Sequence, residues 1–188
     1  MNEVDELLSL IKNSNYLIVF TGAGISTESG IPSFRGKEGL WAKYRPEIYG
    51  TFTGLISQFL IKPSNVVNFI FDFTSPILEA KPNISHICLA KLEEKGYLKS
   101  IITQNIDNLH SDAGNKNVIE LHGNLYIWRC KKCENIEKIG KEKLSEFAKN
   151  LKKIQGRREL IRYINNFVKC KCGGRKRPDI VFFGEPLP

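Results

Sequence analysis

Four thiols in two close pairs, Cys130-Lys-Lys-Cys133 and Cys170-Lys-Cys172 with 36 residues between them, give the chain its clearest chemistry. Tetrahedral Zn²⁺ takes four thiolates at about 2.3 Å and closes such a site against water when its role is structural. The fifth Cys, Cys88, lies in an apolar helical stretch and reads as a core residue. A second group of residues suits phosphate. Gly22-Ala-Gly24 follows an apolar run, and the backbone amides from Gly22 to Gly36 can cradle a pyrophosphate, with Arg35 adding a charge-assisted contact. The Gly-x-Gly alone also suits a simple tight turn, and the full dinucleotide fingerprint is not met at Thr27.

Gln104-Asn-Ile-Asp107 with His110 comes after another apolar run, where an open α/β sheet exposes polar groups at its ligand crevice. The other reading is a solvated loop in which Asp107 caps the next helix. His122-Gly123 follows a third run, so an imidazole sits at a strand end with room beside it. It can act as a base near neutral pH or serve as a hydrogen-bonded structural residue.

Those residues need strands and helices to position them. Val4, Leu7, Leu8 and Ile11 predict an amphipathic helix over Val4–Lys12, and Tyr16–Phe20 predicts the strand that feeds the glycine turn. Residues 31–54, rich in Gly and Pro, predict a long functional loop. Helices are expected over Asn65–Glu79 and Ser85–Lys95, and strands at Ser100–Thr103, Val118–Leu121 and Ile180–Phe183. A charged, helix-rich insert is expected from Cys130 to Cys172.

The 188 residues fit one domain with an appendage, and no apolar run approaches the ~20 residues of a membrane span. The first 15 residues carry Glu3, Asp5 and Glu6 and not a cationic leader, so a cytoplasmic chain is the expectation. Of the net charge of +8, residues 129–177 hold +12 (17 Lys+Arg against 5 Asp+Glu) and the remainder holds −4. Such a segment suits a nucleic acid or acidic partner, or simply a solvated Lys-rich helix face.

Together these stretches resemble the sirtuins, the NAD-dependent protein deacylases of the Sir2 family. The resemblance runs through Gly22-Ala-Gly-Ile-Ser-Thr-Glu-Ser-Gly-Ile-Pro-Ser-Phe-Arg35, Gly39-Leu-Trp41, Thr103-Gln-Asn-Ile-Asp-Asn-Leu-His110, Glu120-Leu-His-Gly123, the Cys pairs and Arg177-Pro-Asp-Ile-Val-Phe-Phe-Gly-Glu185. It implies an α/β fold: a Rossmann-like parallel-sheet NAD-binding domain over residues 1–128, a Zn²⁺-binding insert over 129–177 held by Cys130, Cys133, Cys170 and Cys172, and a return strand with substrate segment over 178–188. By the same resemblance Gly22, Ala23, Gly24, Thr27, Phe34, Arg35, Gln104, Ile106 and Asp107 match NAD contacts. His122 matches the general base, Asn105 matches an NAD contact and is the second catalytic candidate, and Val181, Phe182, Phe183, Gly184 and Glu185 match the segment that pairs with the substrate backbone. The implied reaction transfers an acetyl or apolar acyl group from a protein lysine to the ADP-ribose of NAD through an alkylimidate, releasing nicotinamide.

Sirtuins that prefer acidic acyl groups resemble one another in a Tyr and an Arg three residues apart on the helix lining the acyl pocket. Val66–Ala80 has neither, and Phe69, Ile70, Phe71 and Phe73 predict an apolar lining. Two features depart from the family pattern. The second Cys pair has one intervening residue where two or more are usual, a tightness that Gly173 and Gly174 can absorb. The chain also ends at Pro188, before the Gly-Thr-Ser and Asn-rich segments that hold the rest of NAD in the family, so a truncated chain with an uncovered sheet edge is expected. The alternatives are therefore a catalytically impaired NAD- or peptide-binding fragment, or a zinc-ribbon binder of nucleic acid.

Overall fold

The computed structural model describes residues 2–36 and 39–187. Residues 37 and 38 of the expected loop, and Pro188, on which the expectation of a truncated end rests, lie outside the described residues. Helix α1 (Glu3–Asn13) starts at Asn2, whose side chain accepts from Asp5 N–H while the Asp5 carboxylate accepts from Asn2 N–H. Its amphipathic pattern is as expected, yet Val4, Leu7, Leu8 and Leu10 are all exposed.

Strand β1 (Leu17–Thr21) leads through Gly22 into a single stretch of 3₁₀ helix, Ala23–Ser29, ended by Gly30 in the left-handed region. Residues 40–61 correct the long-loop expectation. They form three helices, α2 (Leu40–Lys43), α3 (Pro46–Tyr49, with Pro in the first turn) and α4 (Phe52–Ile61, capped by the Thr51 hydroxyl). The isolated aromatics here are a core and not loop decoration: Tyr44, Tyr49 and Phe69 pack ring on ring at 5.0–5.1 Å.

Helices α5 (Pro63–Glu79) and α6 (Ile84–Glu94) precede β2 (Leu98–Thr103), the short α7 (Leu109–Asp112) and β3 (Val118–Glu120). The three strands form a parallel sheet in the order β1-β2-β3, the Rossmann-like arrangement expected from the sequence. Ile18, Phe20 and Ile119 are exposed on it. Cys88 on α6 is likewise exposed, correcting its placement in the core.

The sequence reading missed β4 (Gly123–Cys130), which continues the chain beyond His122 and pairs antiparallel with β5 (Ile136–Lys138) and β6 (Lys176–Ile180). Helices α8 (Lys141–Lys153) and α9 (Arg157–Val168) connect β5 to the second Cys pair, and α8 packs on α5. The expected strand at Ile180–Phe183 is displaced to Lys176–Ile180. Val181, Phe182 and Phe183 fall outside it because their N–H groups leave the ladder for His122 O, Glu185 Oε2 and Gly50 O. No helix among the described residues is long and apolar enough to cross a membrane.

Candidate active site

Register brings the site together. Thr21 of β1 pairs with Thr103 of β2, and Thr103 pairs with Glu120 of β3, so the three strands end level and release Gly22, Gln104 and Leu121, with His122 one residue on. This is the crevice at the carboxyl ends of a parallel sheet.

A buried polar network underlies it. Ser26, 1% exposed, donates to Asp107 Oδ2 at 2.7 Å and accepts from Asn105 Nδ2 at 3.0 Å; the same amide donates to Gly22 O at 3.1 Å. Asp107, one residue before the N-cap Asn108, accepts the Leu109 N–H of α7 at Oδ1 at 2.9 Å, and its other oxygen is spent on Ser26 of the glycine loop. At 5% exposure Asp107 does not lie in a solvated loop. Asn83, at the start of α6, donates to Ile25 O at 2.7 Å and to Ser29 Oγ at 3.0 Å, fastening the 3₁₀ turn from the other side.

His122 is oriented by the backbone. Its Nδ1 lies 3.0 Å from Gln104 O, an oxygen that can only accept, so Nδ1 carries the proton and the Nε2 lone pair is left for chemistry. Gly123 behind it has φ +74, and an added Cβ would lie 1.8 Å from Asp179 O. Only glycine lets β4 approach β6 there. Bidentate bonds from Arg129 to Asp179 at 2.8 to 3.2 Å hold the same strand pair.

The remaining candidates sit around this centre. Gln104 is exposed toward the crevice, and Ile106 is half-buried, its carbonyl accepting from Leu125 N–H at 3.0 Å. Ala23, Gly24 and Thr27 lie on the 3₁₀ turn, where the Thr27 hydroxyl donates to Gly24 O. Phe34 is exposed and stacks on Trp41 at 5.7 Å, and Arg35 is exposed beside it. Phe183 tilts against Trp41 at 5.7 Å, and Phe73 stacks on Phe69. Phe69 is buried in a core cluster with Leu40, Tyr44 and Tyr49, and Ile70 and Phe73 pack against it. Phe71 departs from it and lies under Lys152 of α8. His110, expected in the crevice, turns inward: it is 2% exposed, contacts Thr21 Oγ1 through Nε2 at 2.9 Å and stacks near His86 at 4.9 Å. Burial and the neighbouring His86 push its pKa down to about 4.

The four cysteine sulfurs all lie within 4.8 Å of one another, with Cys130 to Cys172 at 3.6 Å and Cys133 to Cys170 at 3.8 Å. Bonds of about 2.3 Å to a tetrahedral Zn²⁺ require sulfurs about 3.8 Å apart, so the set fits that ion. Gly173 has φ +81, and a Cβ on Gly174 would meet Cys130 Sγ at 2.9 Å, which explains how a one-residue spacing is accommodated. Cys130 ends the strand that Gly123 begins. Seven steps of about 3.3 Å put the metal site roughly 20 Å from His122, a structural and not a catalytic position.

A parallel sheet with a glycine turn, a buried Ser-Asn-Asp network and a separate four-thiolate module define an α/β crevice protein. The Sir2 family profile matches residues 22–188, and the chain belongs to that family. It is 44% identical to the NAD-dependent protein deacylase of Pyrococcus abyssi over 184 residues, covering 97% of this chain and 66% of the relative. It is 39% identical to the NAD-dependent protein deacetylase of Sulfolobus acidocaldarius, covering 100% of this chain and 66% of that one. Among solved structures, a Sir2 complex with p53 peptide and NAD⁺ superposes with a TM-score of 0.71 at 39% identity, covering 100% of this chain and 67% of that chain. A mutant Sir2 homologue with ADP ribose gives 0.75 at 40% identity, with 100% and 66% covered. The chain spans about two thirds of the length of these relatives.

Proposed function

We propose that this chain acts in the NAD-dependent removal of acetyl or apolar acyl groups from protein lysine, with His122 as the general base. The observation that carries this reading is the orientation of His122 by its Nδ1 bond to Gln104 O, the residue next to Asn105 of the Ser26–Asn105–Asp107 network. NAD, when bound, supplies a glycosidic bond whose nicotinamide is the leaving group and a ribose hydroxyl that accepts the acyl group. The chain's own contributions are positional. Backbone amides of the 3₁₀ turn and Arg35 suit the pyrophosphate. Asn105 and Asp107 are held rigid by Ser26, so their geometry is set before any ligand arrives. Phe34, stacked on Trp41 and near Phe73, can exclude water at the crevice mouth. His122 Nε2 takes the ribose proton, while its Nδ1 keeps its own proton and donates it in a hydrogen bond to Gln104 O.

Zn²⁺ on Cys130, Cys133, Cys170 and Cys172 would hold β4 and β6 in register, and β6 delivers the Val181–Glu185 segment to the site. The test of the function is nicotinamide release from NAD in the presence of an acetyl-lysine peptide, alongside a calorimetric NAD titration. Binding without peptide-dependent release supports the impaired-fragment reading instead.

A secondary role for the insert is favoured by its surface. Lys131, Lys132, Lys169, Lys171 and Arg175 are exposed around the thiolates, and none has a carboxylate within ion-pair distance among the described residues. This face suits a polyanion, and duplex DNA affinity falling steeply between low and physiological salt is the expected signature. A flat response removes the role.

A further inference from the structure

The segment after β6 is tied down by contacts that the reaction itself does not need. Arg177 donates from Nη1 and Nη2 to the two carboxylate oxygens of Glu185, both at 2.7 Å. The same carboxylate accepts Phe182 N–H at 3.1 Å, and Glu185 N–H returns to Phe182 O at 3.0 Å. These bonds close a four-residue turn with Gly184 at φ +85 in its third position, where glycine suits a left-handed conformation. The Arg177 guanidinium also lies 5.3 Å from the ring centroids of both Phe52 and Phe182. At 16% and 30% side-chain exposure the pair is partly shielded from water, and planar bidentate geometry between two rings makes it stronger than an ordinary surface pair. Arg177 holds the Glu185 carboxyl below its ordinary range, keeping it ionised near neutral pH.

The turn decides which backbone groups remain to meet a peptide. Val181 N–H donates to His122 O at 3.0 Å, Phe182 N–H to Glu185, and Phe183 N–H to Gly50 O at 2.8 Å. All three amides are therefore used internally. Val181 C=O, Phe183 C=O and Gly184 N–H have no partner among the described residues. An extended peptide added here would use those groups, and the Glu185 carboxylate, already accepting three bonds, serves as an anchor and not as a substrate contact.

We propose that Arg177 and Glu185, gripped between Phe52 and Phe182, form a latch that fixes the peptide-facing backbone of Val181 to Gly184, making Arg177 a positioning residue for the protein substrate. The identity of that substrate rests on the deacylase reading above.

The test uses the whole chain with Arg177→Gln and Glu185→Gln. Amide hydrogen exchange of Val181, Phe182 and Phe183 is measured in the free protein, and affinity for a fluorescent acetyl-lysine peptide is measured by anisotropy. Each single variant is expected to exchange about tenfold faster at these amides and to bind peptide about tenfold more weakly, with β2 amides still protected. Glu185→Gln keeps the side chain's shape and guards against global unfolding in the Arg177 variant. Exchange and affinity within about twofold of wild type in Glu185→Gln overturn the latch. A wild-type chain that binds no acetyl-lysine peptide overturns the deacylase reading instead, and the exchange measurement still decides the latch.

Discussion

Replacing Gly123 with Ala perturbs the junction between the candidate base and the metal module, and the structure gives its size. The new methyl would sit 1.8 Å from Asp179 O, and the φ of +74 would have to be kept by an L residue. The left-handed backbone costs roughly 1–2 kcal/mol. Relieving the contact requires β6 to retreat by more than an ångström, which breaks ladder bonds near Gly123 and Ile180 and the Val181 N–H to His122 O bond, each worth about 1 kcal/mol. The expected destabilisation is about 3 kcal/mol. With a urea slope near 2 kcal/mol/M, the midpoint should fall by roughly 1.5 M. Urea titration followed by far-UV circular dichroism gives this directly, and acetyl-peptide-dependent nicotinamide release should fall at the same time because His122 and Val181 move together. A midpoint within about 0.3 M of wild type, with release unchanged, refutes the claim that glycine is demanded here.

Other outcomes follow from single contacts. Ser26→Ala removes the donor to Asp107 and an acceptor of Asn105, and should lower stability by about 1–3 kcal/mol in the same titration while weakening NAD binding; an unchanged NAD isotherm counts against the network's role. His110 is held neutral with a pKa of about 4 against an unfolded value near 6.5, so the unfolded state binds the extra proton between those values. Its stability contribution is complete above pH 6.5 and declines as pH falls toward 4, by at most roughly 3 kcal/mol, and His110→Gln should flatten the midpoint-against-pH curve in that window. An identical slope in the variant contradicts the burial argument. Elemental analysis should find one Zn²⁺ per chain, and a strong chelator should lower the midpoint and lift hydrogen-exchange protection in β4 and β6 before it does so in β1 and β2. Absence of zinc in the purified chain would count against the thiolate assignment.

The sheet was legible because β1, β2 and β3 are short apolar runs, each followed at once by residues that chemistry needs exposed. The residues that rigidify the site were not. Ser26 and Asn83 carry no periodic signal, and their partners Asp107 and Ile25 are far away in sequence. Strand β4 was hidden because Tyr126, Trp128 and Cys130 share its buried face with polar Asn124, while Leu125 is buried on the other face, so the alternation is broken at its start. The stretch at 40–61 looked irregular since its helices are short and its aromatics face one another across elements. Val181 to Phe183 resembles a strand by composition, but its hydrogen bonds are set by Gly50 and Glu185, contacts no local pattern reports.

The central claim is that His122, held through Nδ1, is the base of an NAD-dependent deacylation. Its most direct measurement is nicotinamide release from NAD by the chain and by His122→Ala, each with and without an acetyl-lysine peptide. The account predicts peptide-dependent release by the wild-type chain and a loss of about 10²-fold or more in deacylated product in the variant, with peptide and NAD still bound. Deacylation at equal rates in both proteins, or release that ignores the peptide, would contradict it.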